Sequence, residues 1–298
     1  MKKTIIIRTF NHAKVLSDLL EAVRLQTGFT TSDEIIIADF GSTDGTLYLA
    51  EYFHCKLFDV RQLKDNPVAA LNWASAESTG DILVFLDPLS IPSSKTWLKT
   101  LIDPIADNVC EYSYGRLLPS ALTSFSHRQY LEAKLPAQSQ IPQYGQYCHN
   151  ANTAILKSTW ERYRFDESLP ALESIQMAKD IRQAGGAVAY VAEAGAYDLT
   201  TEDFYTLLKR FREEGVALQS IYPDIHFSLA DFAFYWFLAS NNDIREAVKH
   251  SCLHNNLYQI LSSRLAQYLG ILLGAKVHEK KSLGKKDNFL SPKKSQKN

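Results

Sequence analysis

Paired cysteines, glycine-rich phosphate fingerprints and long apolar runs are all missing from this chain, and each absence excludes a class of protein. The four cysteines (Cys55, Cys110, Cys148 and Cys252) are scattered with no CxxC pair. Neither a zinc cluster nor a disulfide framework is therefore expected. No apolar run reaches the ~20 residues of a membrane span. The opening "MKKTIIIRTFN" offers only three isoleucines before Arg8, too few for the core of a signal peptide. A cytoplasmic protein is the expectation. GxGxxG and GxxxxGK[ST] are both absent, which removes the dinucleotide and P-loop signatures.

Charge of one sign is also lacking overall, because the net value is −1. It is unevenly placed: residues 276–298 hold eight lysines against Glu279 and Asp287, so the body before them is acidic. That tail has no hydrophobic periodicity and reads as disordered. It suits either a solubilising end or contact with anionic lipid head groups. An acidic body without basic–aromatic interleaving argues against nucleic acid as a partner.

What is present is a regular alternation. "KTIIIRTF", "EIIIADF", "CKLFDV" and "DILVFLDP" read as strands; "HAKVLSDLLEAVRLQ", "DGTLYLAEYFH" and "NPVAALNWASAEST" read as the helices between them, with Asn11 as a cap for the first. Continuously apolar strands separated by amphipathic helices predict an α/β fold, a mostly parallel sheet covered on both faces. Residues 105–200 are less regular, with a helix "LESIQMAKDIRQAG" that ends at Gly185 and Gly186 and a strand "AVAYVAEA". From about 201 to 273 the chain is helical. In "FSLADFAFYWFLA" and "LAQYLGILLG" nearly every face is apolar, which fits packing on a core, a homodimer partner, or a membrane surface near a lipid-linked acceptor.

In parallel sheets ligands bind beyond the carboxyl ends of the strands, where strand order reverses. Polar clusters sit at those ends: Arg8 to Asn11, Asp39 to Asp44, and Asp87. Asp39, with Thr9 and Asn11 beside it, suits an acceptor for the imide N–H of a pyrimidine base. Ser42 or Asp44 suits a cap for the following helix.

"IIIRTFNHAKVLSDLLEAVRLQ", "EIIIADFGSTDGT", "ALNWASAESTGDILVFLD" and "FDESLPALES" together resemble family 2 glycosyltransferases of the GT-A fold, in particular bacterial rhamnosyltransferase-like members. The resemblance covers roughly residues 3–215. It implies three parts: a GT-A domain over 1–215, a helical extension over 216–275 and the basic tail over 276–298. It further implies inverting transfer from a nucleoside-diphosphate sugar to a glycan or lipid-linked acceptor in surface polysaccharide synthesis, with Mg²⁺ or Mn²⁺. Carried over by position, the nucleotide-sugar contacts are Thr9, Asn11, Asp39, Gly41, Ser42, Asp44, Asn72 and Asp87.

Three departures accompany the likeness. The DxD metal motif reads Asp87-Pro88-Leu89, so a second carboxylate is missing. The family's base aspartate is Ser174, which leaves Glu173 as the substitute base. Asp198 stands where relatives usually have a histidine near the metal, so Asp87 and Asp198 are the expected cation ligands. Two readings stay open: an active enzyme, peripheral on the inner membrane face, or an inactive relative that binds a nucleotide sugar as a scaffold subunit.

Overall fold

A computed structural model describes residues 1–290, with side chains described through 277. Of the lysine-rich tail read as disordered from 276, residues 276–290 are helical, and 291–298 lie outside the described residues. The chain divides into two compact units, one of residues 1–168 and 172–201, the other of 169–171 and 202 onward. The 215 boundary drawn from sequence lies instead within a helix of the second unit.

The first unit carries one sheet of eight strands: β1 (Lys3–Thr9), β2 (Glu34–Asp39), β3 (Lys56–Asp59), β4 (Ile82–Leu86), β5 (Ser90–Pro92), β6 (Tyr112–Pro119), β7 (Asn152–Leu156) and β8 (Val188–Asp198). Their order is β3-β2-β1-β4-β7-β6-β8-β5. β3, β2, β1 and β4 run parallel, and β7 turns the sheet mixed by pairing antiparallel with β4 and β6. The helices of this unit are α1 (Ala13–Arg24), α2 (Thr46–Tyr52), α3 (Pro67–Ala76), α4 (Trp97–Ala106), α5 (Phe125–Lys134), α6 (Lys157–Tyr163) and α7 (Glu173–Gln183).

Successive residues Ile5, Ile6 and Ile7 are all buried, as are Ile35, Ile36 and Ile37. Side chains alternate across a sheet, so burial of both parities means both faces are covered there. One face packs Ile5, Ile7, Ile35, Ile37, Val84 and Leu86 with Leu16, Leu19 and Leu20 of α1 and with Trp97, Leu98 and Leu101 of α4. All four cysteines are free, and burial pushes the thiols of Cys55, Cys110 and Cys148 up to about 12, where they are inert. α7 ends as the sequence indicated, with Gly185 at φ +84°.

The second unit holds α8 (Phe204–Ile221), α9 (Leu229–Lys249) and α10 (Leu253–Leu290). The two glycines of "GILLG" let α10 lie against α8. A Cβ on Gly270 would meet the Leu208 carbonyl oxygen at 2.7 Å, and one on Gly274 the Arg212 carbonyl oxygen at 2.3 Å. Arg264 of α10 holds Asp243 of α9 through two buried bonds, 2.8 and 2.9 Å.

Candidate functional site

The sheet itself builds the cleft. Chain order runs outward from β1 through β2 to β3 and then resumes on the other side at β4, so the switch of strand order lies between β1 and β4. Ile6 and Phe85 are paired there. Two residues on, Arg8, still within the pairing of β1, and Asp87, just past β4, lie on the same face at the strands' carboxyl ends. Ile6, Arg8, Phe85, Leu86 and Asp87, with Leu71, Pro88 and Asn150, line one shallow cleft.

Within it, Arg8 Nη1 donates to the Pro67 carbonyl at 3.0 Å, which anchors the guanidinium to the start of α3. Asp87 Oδ1 accepts the Leu89 N–H at 2.9 Å. Burial pushes the Asp87 carboxyl up; the Leu89 bond and the Arg8 charge oppose this, and the nearby Asp198 charge adds to it. The cleft thus holds a carboxylate whose charge is under-compensated, opposite a guanidinium.

Beside the cleft, the β1–α1 and β2–α2 loops are stitched into one unit. Asp39 is buried at 2% exposure. Its Oδ2 accepts the N–H groups of Gly41 and Ser42, each at 2.8 Å, and its Oδ1 accepts the Ser42 hydroxyl at 2.5 Å. Gly41 sits at φ +92°, a conformation that favours glycine. Ser42 Oγ in turn accepts the Asn11 N–H at 2.8 Å, and Asn11 Oδ1 accepts the Thr43 N–H at 2.8 Å. Thr9 Oγ1 shares a 3.1 Å bond with His12 Nδ1.

Two expectations are corrected in these loops. Asn11 does not cap α1; it takes φ 56° and reaches across to the second loop. The first N–H of α1, from Ala13, is instead met by Asp44 Oδ2 at 3.1 Å, while Asp44 Oδ1 accepts from Thr46 N and Oγ1 at the start of α2. Burial would raise the Asp44 carboxyl, but these bonds hold it below the usual carboxylate range. Asp39 is a more limited acceptor than expected, because three donors of its own loop already occupy it. Oδ2 is filled by two amides, and only Oδ1 keeps a lone pair without a protein donor.

Asn72, carried over as a nucleotide-sugar contact, is corrected more fully. Its Nδ2 donates to the Phe165 carbonyl and to Glu167 Oε1 at 2.8 and 2.9 Å, while its Oδ1 accepts from Trp160 Nε1 and Phe165 N at 3.2 and 3.1 Å. Two donors and two lone pairs are then all used. It fixes α3 to α6 and the segment after it, and has no bond left for a ligand.

Glu173 opens α7, is buried, and accepts a bond on Oε1 from Asn150 Nδ2. Because Asn150 lines the cleft, Glu173 stands one hydrogen bond behind its wall. His149, the neighbour of Asn150, donates from Nε2 to the Gly115 carbonyl at 3.0 Å, and burial pushes its imidazole down to about 4.

Asp198 ends β8, yet it is not an open cation ligand. Its Oδ2 meets His127 Nε2 at 2.8 Å, and its Oδ1 accepts the Thr200 N–H at 2.8 Å. Burial acts to raise its carboxyl, but His127 and Thr200 hold it below the usual range. Among the described residues no three His, Cys, Asp or Glu side chains group to hold a metal. Of the two expected cation ligands only Asp87 lines the cleft, and it accepts one bond, from the Leu89 N–H.

His127 and Asn150 are absent from the site expected from sequence, and Arg8 entered it only as part of a polar strand end. Arg8 was visible as the charged end of an apolar strand. His127 carries no local signal, and Asn150 lies in the run "HNANT" but meets Glu173 only through the fold.

The glycosyl transferase family 2 model matches residues 4–154, just over half of the chain. The chain belongs to glycosyl transferase family 2. An O-antigen chain rhamnosyltransferase of Salmonella typhimurium is 29% identical over 210 residues, 65% of each protein. A Haloferax volcanii glycosyltransferase is 30% identical over 144 residues, 44% of this chain and 47% of that one. The chain thus spans less than two thirds of these relatives. Among solved structures, a Pyrobaculum calidifontis mannosyltransferase in complex with GDP-Man and Mn²⁺ aligns with a TM-score of 0.64 at 16% identity, over 93% of this chain and 86% of that one. Residues 1–349 of Staphylococcus aureus TarS, in complex with UDP-GlcNAc, align with a TM-score of 0.60 at 14% identity, over 94% and 92%. This family 2 member has the GT-A fold: a mixed, largely parallel sheet with helices, followed by C-terminal helices.

Proposed function

We propose that this chain transfers a sugar, with inversion, from a nucleoside-diphosphate sugar to a hydroxyl of a glycan or lipid-linked acceptor. The observation that carries the reading is the Arg8–Asp87 cleft at the switch between β1 and β4, the place where such sheets bind ligands. The stitched loops of Asp39, Ser42, Asn11 and Thr9 border the base, with the spare lone pair of Asp39 Oδ1 as its acceptor. The diphosphate lies over Asp87. A divalent cation held there by Asp87, with phosphate and water oxygens, would neutralise charge on the departing diphosphate. Glu173, one bond behind the wall, is the carboxylate placed to take the acceptor proton once Asn150 yields.

The test is turnover of UDP-, GDP- and dTDP-sugars with and without acceptor and Mn²⁺. Glu173→Gln should lower kcat by about 10²–10⁴-fold, the share that a general base supplies, with donor KM unchanged. Unchanged kcat removes Glu173 from the reaction.

A second reading, an inactive nucleotide-sugar-binding subunit, is favoured by Leu89, by Ser174, and by the engagement of Asp198 with His127. Binding without turnover of any donor would establish it. No helix among the described residues is long and apolar enough to cross a membrane. Exposed Phe234, Phe237 and Leu238 on α9, with Leu257 and Tyr258 on α10, support contact with a lipid surface instead. Equal sedimentation with anionic liposomes by the full chain and a form ending at 273 would remove the basic tail from that contact.

A further inference from the structure

We infer that Arg8 is itself a diphosphate ligand, so that part of the affinity for a nucleoside diphosphate persists without any metal. The inference rests on the nucleotide-sugar reading and adds to it a residue and a metal-independent component.

Three observations carry it. Arg8 lines the cleft with Asp87, Pro88 and Asn150, and it is the one cationic side chain in that lining. Its guanidinium is anchored but not consumed. Nη1 donates to Pro67 O at 3.0 Å, and among the described residues the other N–H groups of the fork have no protein partner. Asp87 accepts its bond from the Leu89 N–H, and Arg8 offsets its charge at a distance. Arginine held in this way presents a planar fork matched to phosphate oxygens.

The sequence around the cleft also lowers the negative charge available to a cation. Leu89 stands where a second acid would lie, and Asp198 is occupied by His127 and Thr200. One carboxylate and one guanidinium then face the same ligand. Two phosphates between them would be shared, one side by the cation that Asp87 holds and the other by Arg8.

The experiment is calorimetric titration of UDP, GDP and dTDP, and of the matching nucleosides, into wild type, Arg8→Gln and Arg8→Lys, in EDTA and in Mn²⁺. Lys99→Gln, on the exposed side of α4, serves as the charge control. In EDTA, wild type and the Lys99 variant should bind one of the diphosphates. Arg8→Gln should weaken that binding about 10- to 100-fold, the scale of a lost charge-assisted phosphate contact, and Arg8→Lys by less. Nucleoside affinity should change less than about twofold by the same reasoning, since a nucleoside offers no phosphate.

Equal diphosphate affinity in wild type and Arg8→Gln overturns the inference while leaving the nucleotide-sugar reading intact. So does an equal loss for nucleoside and diphosphate, which would mean the arginine serves the fold through Pro67; thermal melts of each variant read that effect directly. Binding of no diphosphate by wild type, in EDTA or Mn²⁺, overturns the nucleotide-sugar reading and this inference together.

Discussion

Replacing Asp39 separates its structural duty from its expected contact with a base. The wild-type carboxylate receives three donors: Gly41 N, Ser42 N and Ser42 Oγ. Asparagine keeps a single acceptor oxygen. If that oxygen takes both amides, Nδ2 faces Ser42 Oγ, which already accepts the Asn11 N–H. The hydroxyl must then reverse and its proton is left without a partner. A hydrogen bond to a charged group contributes about 1.5–3 kcal/mol against about 1 kcal/mol for a neutral one. Two weakened bonds and one stranded donor come to roughly 2–4 kcal/mol, partly offset because a buried charge is removed. Asp39→Ala strands all three donors and should cost more than Asp39→Asn. Urea unfolding without ligand, followed by circular dichroism, reads both, with the midpoint falling and the slope unchanged. If both variants lie within about 0.5 kcal/mol of wild type, the ordinary spread of surface substitutions, the carboxylate does not hold the turn.

Other perturbations follow from the same geometry. Asp87→Asn should raise the melting temperature at neutral pH by about 2–4 °C for each 1 kcal/mol relieved, while turnover falls. Burial raises this carboxyl, so its contribution to stability is full at low pH and declines as pH rises through the raised value; the variant should lack that decline. Asp198 is shifted the opposite way: burial is outweighed by His127 and Thr200. Its contribution is present above the ordinary value of about 3.9 and lost as pH falls through the lowered one, so Asp198→Asn should destabilise at pH 7 and converge with wild type in acid. In the second unit, Asp243→Ala removes a bidentate partner from buried Arg264 and should cost about 3–5 kcal/mol by chemical denaturation. A loss below 1 kcal/mol would make that pair dispensable.

The parallel half of the sheet was legible because β1, β2 and β4 are apolar on both faces and end in polar residues. That pattern needs only local sequence to read. The strand-end location of the cleft followed from it, whereas the family came from the resemblance of the motifs around those strands. The antiparallel half was not legible: β6 and β7 alternate little, and their pairing joins Tyr112 to Ile155 and Leu83 to Ile155, contacts distant in the chain. β8 runs through Asp198 rather than stopping near 194, which is why Asp198 reaches a strand end at all.

Individual site residues were harder still, because a side chain's partners decide its role. Asn72 reads as a ligand until Phe165 and Glu167 occupy it, 93 and 95 residues further along. Asp198 reads as a cation ligand until His127 arrives from α5. Arg8 shows the converse: a charge at the end of an apolar strand whose fork stays open.

The central claim is that the crevice between β1 and β4 holds a nucleoside diphosphate. A crystal soaked with UDP, GDP or dTDP tests it most directly. The account predicts density for two phosphates between Arg8 and Asp87, with the base beside Asn11 and Asp39. A nucleotide seated elsewhere, or a cleft left empty at saturating concentration, would contradict it.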